Sequence, residues 1–239
     1  FAKIVLVNDN GNVAINGAEL GTDLEIKAKG GKASVTNHLQ AAGKTVTIGA
    51  DSIEAAGAIT ADRLLLDGEN AAVKLTNEDN AVGMVAGKVK SIELTNRSAL
   101  AIGEAGTEAL GLEAAGDPVK ITALDGDISL QGTGLTTKGA GKVELTAENG
   151  ALNIDTAGAN LTATGKAALD LQAKSVRLGA ENKISANGGD LSLKTDGLEL
   201  EDGGKVATAG GKVMIDCLTA GKAMAVGMAG AADALTLAD

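Results

Sequence analysis

The chain has 239 residues, with 31 Asp and Glu against 21 Lys and Arg, a formal net charge of −10 and only 3 Arg (Arg63, Arg97, Arg177). That balance speaks against a nucleic-acid partner, because phosphate binding needs clustered cations. No stretch approaches the roughly 18 consecutive apolar residues of a membrane span.

Composition narrows the architecture. Trp and Tyr are absent and Phe1 is the single aromatic residue, so the interior is expected to be Leu, Ile, Val and Ala. There are 34 Gly and one Pro, Pro118, so the punctuation between apolar phrases falls to Gly, Asn and Asp, which accept positive φ in tight turns. One cysteine, Cys217, excludes an internal disulfide and a multi-Cys metal site, and reads as a small buried or half-buried residue beside Ile215. No linker breaks the pattern, so residues 1–239 are expected to form a single β-solenoid domain. A start at Phe1 rather than Met suggests a mature or excised product. A type IV pilin reading fails because FAKIVLV stops at NDNGN instead of continuing as an apolar helix.

In chain order the strand phrases are KIVLV, NVAI, DLEI, TVTI, AVKL, SIEL, ALAI, PVKI, DISL, KVEL, ALNI, ALDL, SVRL, DLSL, LELE, KVMI and ALTL. Each alternates apolar and polar residues over a few positions, as a half-buried strand does. Turns every seven to eleven residues leave no room for crossover helices. The choice is therefore between an antiparallel sandwich and a parallel β-helix.

The repeat favours the helix. Leu169/Leu171, Leu191/Leu193, Val213/Ile215 and Leu235/Leu237 recur at intervals of 22 residues. Extended backwards, a first face runs Ile4, Val35, Leu64, Ile92, Val119, Val143, Leu169, Leu191, Val213 and Leu235. A second face runs Val13, Val46, Val73, Leu100, Ile128, Leu152, Val176 and Leu198, and a third Leu24, Ile53, Val82, Leu110, Leu135, Leu161, Ile184 and Val206. The expectation is an all-β, single-chain, right-handed parallel β-helix with three faces and about nine to ten coils, shortening from about 31 residues at the N-terminus to 22 at the C-terminus. The register is firm from Val119 onward and softer before it. Gly188-Gly189 and Gly210-Gly211, again 22 apart, should mark one corner.

Chemistry is sparse. His38 is the only histidine, so a Ser/His/Asp triad has one possible base and a His-rich metal site has none; it reads as a loop residue. The acidic turns LDGENA, TNEDNA, VNDNGN and ALNIDT carry oxygens of the kind calcium accepts, but neither the glycine-aspartate nonapeptide of calcium β-rolls nor an EF-hand loop is present, Leu20 standing where the latter needs Glu. Sugar clefts usually present aromatic platforms, which this chain lacks. The T-x-T ladder of ice-binding solenoids is met only at Thr45/Thr47 and Thr162/Thr164. No catalytic residue, cofactor or metal ligand is assigned.

The run from GKVELTAENGALNIDTAGANLTATG to DLSLKTDGLELEDGG resembles the repeats of filamentous-haemagglutinin-type, two-partner-secreted adhesins, and more weakly the β-needles of phage and type VI secretion spikes. The resemblance covers residues 119–239 best. It implies export to the cell surface or the extracellular space and a mechanical or adhesive role, and it transfers no catalytic residue. A non-enzymatic rod in a filament, sheath or adhesin stalk is the leading expectation. A trimeric spike of an injection machine and, more remotely, a polysaccharide-active enzyme are the alternatives. Because neither end reads as a cap, self-association end to end is expected through Ile4, Val5, Leu6 and Val7 at one end and Leu235, Thr236 and Leu237 at the other.

Overall fold

The computed structural model describes residues 3–104, 110–226 and 234–238, with side chains as far as Lys222. Phe1 lies outside them. The N-terminal half contains β1 (Lys3–Asn8), β2 (Val13–Glu19), β3 (Asp23–Ala55), β4 (Ile59–Asp67), β5 (Ala72–Leu75), β6 (Ala81–Val89), β7 (Ser91–Asn96), β8 (Leu100–Ile102) and β9 (Leu112–Ala114). There follow β10 (Val119–Ala123), β11 (Ile128–Leu130), β12 (Gly134–Thr137), β13 (Val143–Ile154), β14 (Asn160–Ala163), β15 (Leu169–Leu178) and β16 (Lys183–Asn187). The C-terminal part has β17 (Leu191–Lys194), β18 (Leu198–Leu200), β19 (Lys205–Ala209), β20 (Val213–Asp216), β21 (Ala223–Val226) and β22 (Ala234–Ala238). All 22 strands belong to one hydrogen-bonded ladder, and the pairs between them are parallel.

This is an all-β parallel solenoid of about ten turns. The chain closes each coil on itself and stacks like residues along its axis. On the first face Val73, Ile92, Val119, Val143, Leu169, Leu191 and Val213 follow one another in register. The second face carries Leu100, Ile128, Leu152, Val176 and Leu198, and the third Leu112, Leu135, Leu161, Ile184 and Val206. From Ile92 to Val213 the expected first face is met, and from Leu100 to Leu198 the second. A stack of ten layers about 4.8 Å apart is roughly 45 Å long. Its interior is aliphatic throughout, each side chain contributing about 1.5–3 kcal/mol on burial; Ile92, Ile121, Leu145, Leu171 and Leu193 are among the fully buried.

The N-terminal coils differ from the expectation. Ile4 lies on Leu24, not on Val35, so the first coil holds 20 residues rather than 31. Val13 pairs with Ala33, Ile15 with Val35, and Ile53 with Val73, which puts Val13, Ile53 and Val73 on the first face. Leu64 pairs with Val46 and Val85, away from that face. The reason is that the second and third faces are here fused into one bent strand per coil. Strand β3 passes over itself in this way: the Thr45 N–H donates to the Asp23 carboxylate at 2.9 Å and the Ala56 N–H to the Val35 carbonyl at 2.9 Å. The fused strand divides at β6, whose Val85 pairs with Ile102 of β8 while Gly87 pairs with Leu112 of β9. Between β8 and β9 an antiparallel bridge joins Glu104 to Leu110. Leu112 thus takes the third-face place expected of Leu110, which is exposed. The coil therefore widens in the middle of the chain instead of tapering from the start.

At the C-terminus Leu235 does not follow Val213. Strand β22 adds to the second face, Leu237 on Leu198, and β21 pairs with its other side, Met224 on Leu235.

The glycine corner between the third and first faces is present. A Cβ at Gly165 would strike the Gly139 carbonyl, at Gly189 the Ala167 carbonyl, and at Gly211 the Gly189 carbonyl. The backbones touch there, and no side chain fits between successive coils.

Candidate functional site

The two ends and the charged flank are the surfaces with character. Among the described residues the exposed large hydrophobics are Val5 (51%), Leu6 (37%), Val7 (54%), Leu110, Val213 (41%) and Met214 (45%). Five of these six lie on β1, the first strand, and β20, the last described strand of the first face. Among the described residues β1 pairs only with β3, and β20 only with β17, so each has one edge without a described strand partner. Of the expected end residues, Ile4 is half-buried against the core while Val5, Leu6 and Val7 are open to solvent. Leu235, Thr236 and Leu237 sit in β22, which is paired along both edges; their side chains lie outside the described residues. The exposed apolar residues at that end are Val213 and Met214, whose sequence VMI resembles any other first-face strand and carries no signal of an end.

Along the first face the outward residues form a ladder of alternating charge. Glu54 stacks on Lys74, Lys74 on Glu93, Glu93 on Lys120, and Lys120 on Glu144. Each is the middle residue of an aliphatic pair, in IEA, VKL, IEL, VKI and VEL. The alternation breaks where Glu144 meets Asp170, and there Lys142 bridges the two, at 2.8 Å and 2.7 Å. Asp170 and Glu144 raise the Lys142 ammonium above its ordinary range, and Lys142 holds Glu144 below the usual carboxylate range. Opposite charges on neighbouring strands are the arrangement that stabilises a sheet surface, and like charges the one that weakens it.

Other charges are paired as well. Glu25 receives Lys27 at 2.7 Å and Lys3 at 2.5 Å, which hold its carboxyl down to about 2. Arg177 reaches Glu201 at 2.6 Å, with Glu199 and Asp155 within 4 Å, and lowers the Glu201 carboxyl. The Asp196 carboxylate accepts from the Thr219 hydroxyl and amide, which lower it.

In three of the four acidic turns a carboxylate faces a cation: Asp79 pairs with Arg97, Glu69 with Lys88, and Asp155 with Arg177. Among the described residues no three His, Cys, Asp or Glu side chains gather to hold a metal ion. His38 Nε2 lies 2.9 Å from the Thr60 hydroxyl, and Cys217 is a free, half-buried thiol packed against the core. An open cleft of about 290 Å³ mixes Asp9, Asp51, Asp67 and Glu69 with Lys27 and Lys29. A flatter depression of about 320 Å³ lies over small residues of the third face, Thr162, Ser185 and Ala207 among them.

The fold and its surface define the class: a parallel β-solenoid with charge-paired flanks and apolar ends. No family model, curated protein or solved structure matches the chain.

Proposed function

We propose that this protein is a non-catalytic structural solenoid, a rigid rod serving in an extracellular or cell-surface filament, sheath or adhesin stalk. The observation that carries the reading is the distribution of apolar surface. The first-face flank is laced with alternating charge, whereas Val5, Leu6, Val7, Val213 and Met214 are exposed at the ends. A continuous aliphatic core gives such a body stiffness along its axis. The adhesin-type repeats of residues 119–239 favour export.

A trimeric spike is the second reading. Coils that close within one chain support the single-chain rod over an intertwined needle. Sedimentation and negative-stain images test both. The rod reading expects particles roughly 45 Å long, or filaments built from them, with a one-chain mass per unit; a stable trimer of intertwined chains would defeat it. Turnover of acidic polysaccharides, abolished by changing an outward Asp, would replace it with an enzyme.

A further inference from the structure

The geometry points to a defined head-to-tail joint in which β2 and β1 of one copy add to β20 and β19 of another. This inference rests on the reading of the chain as a rod and names the partner, a second copy of the same chain.

The two ends are the open terminations of the same columns. On the first face one column begins at Val13 on Ala33 and finishes at Val213 on Leu191; its neighbour begins at Ile15 on Val35 and finishes at Ile215 on Leu193. On the third face the column that begins at Leu6 on Ile26 finishes at Val206 on Ile184. The corner between these faces has the same length at both ends, seven residues from Leu6 to Val13 and seven from Val206 to Val213. A second copy can therefore seat Leu6 on Val206, Val13 on Val213 and Ile15 on Ile215 in one register, continuing these three columns of the first and third faces with similar aliphatic residues. A first coil of 20 residues meets a last first-face interval of 22 without the step that a 31-residue coil would leave.

Charge agrees with the seating. The ladder of the first face fades toward both ends, through Ser34 to Ala14 and through Ser192 to Met214. Natural edge strands are commonly protected by charges or proline. Here Met214 would meet Ala14, and Asp216 would meet Asn16, so no like charges face each other. Adding a strand satisfies edge N–H and C=O groups and covers Val213, Met214 and Leu6 together.

The second face is taken at this end by β22, whose Ala238 lies on Glu199, the residue that Lys3 of an incoming copy would meet. It is held on β18 by two residue pairs, Leu198 with Leu237 and Glu199 with Ala238. Strand β22, with β21 stacked on its far edge, competes with the incoming chain for this position, so the two strands restrain growth of the stack.

Disulfide trapping of the full chain tests the joint. In a Cys217→Ser background, Ala14→Cys and Met214→Cys face outward on strands that the joint sets about 4.8 Å apart, inside the roughly 4.4–6.8 Å range that a disulfide spans. Oxidation should give dimers and longer ladders that reductant removes. The control combines Ala14→Cys with Ser192→Cys, one layer below the end, and should stay monomeric. Equal ladders from the control, or folded rods that remain monomeric in the Ala14→Cys/Met214→Cys chain, would overturn the joint while leaving the rod reading intact; loss of rods in images of the unmodified protein would instead defeat that reading. Thr236→Pro, which removes a backbone donor from β22, should raise the ladder yield, and an unchanged or lower yield would overturn the competition.

Discussion

Asn80 and Asn96 stand at the same corner of two successive coils, both fully buried, and each closes the coil beneath it. Asn80 accepts from the Ile59 N–H at 2.8 Å and donates to the Leu75 and Thr95 carbonyls, both at 3.0 Å. Asn96 accepts from the Val82 N–H at 2.8 Å and donates to the Val82 carbonyl at 3.0 Å and the Ser98 carbonyl at 2.9 Å. The two amides satisfy backbone groups that the turning chain cannot pair with another strand.

Replacing Asn96 by Leu strands those groups in the core. The expected loss is about 3 kcal/mol, from an unsatisfied cost of about 1–3 kcal/mol per group, read from urea unfolding. Asn96→Asp should be worse at neutral pH, since a carboxylate there faces carbonyl oxygens, and should recover in part as acid protonates it. Equal stability of Asn96→Asp and wild type at pH 7 would show that the corner is held otherwise.

Gly189→Ala probes the close approach of coils. Its Cβ would run into the Ala167 carbonyl, a backbone atom that cannot swing aside. A loss of about 1–3 kcal/mol is expected. Gly30→Ala is an informative contrast: it has open space around its Cβ but a φ of 66°, so it tests backbone strain without a clash. A milder loss at Gly30 than at Gly189 supports contact as the cause, and the reverse order refutes it.

Acid should weaken the N-terminal coils in a defined window. The Glu25 carboxyl is depressed from 4.5 to about 2 by Lys27 and Lys3. A group with a lowered folded pKa contributes its stability above the unfolded value and loses it as pH falls through the folded one. Glu25→Gln should therefore be less stable than wild type at pH 7, and the difference should close between pH 4.5 and about 2. A difference that persists below pH 2 would assign the effect to packing instead. Added salt should shrink it, because the pair lies at the surface.

Reversing one rung of the ladder gives a fourth test. Lys120→Glu places three acids in a row, Glu93, position 120 and Glu144, on adjacent strands. The side chain is exposed, so the loss should be about 1 kcal/mol or less, and it should fade in high salt. The double change Lys120→Glu with Glu144→Lys restores alternation on one side and should recover part of it. A loss insensitive to salt would argue against an electrostatic ladder.

The legibility of this fold follows the number of strands per coil. From Ile92 onward each face carries its own aliphatic pair, bounded by Gly, Asn or Asp, and the spacing of those pairs reports the register directly. Before Ile92 two faces share one strand, as in β4 and β6, and alternation continues around the bend without a turn signal. In that region three aliphatic phrases span about one and a half turns, so a 20-residue repeat reads in the sequence as a 31-residue coil. The charge ladder was present in the sequence as E, K, E, K, E between aliphatics, but it becomes a column only in the correct register. The buried asparagines carry no local signature that separates Asn96 from the solvated asparagines of ordinary turns.

The sequence by itself determined the all-β parallel solenoid, its aliphatic interior, its glycine corner and the register of its later coils, because a period-two pattern repeated at a nearly constant interval allows few other structures. Only the tertiary structure decided the coil length at the N-terminus, the division of the fused strand at β6, the insertion of β22 onto the second face and the match between the two ends. Those features depend on which coil a given strand meets. Aliphatic pairs are nearly interchangeable as neighbours, so the choice is made by corner geometry and by backbone hydrogen bonds between residues some 20 positions apart.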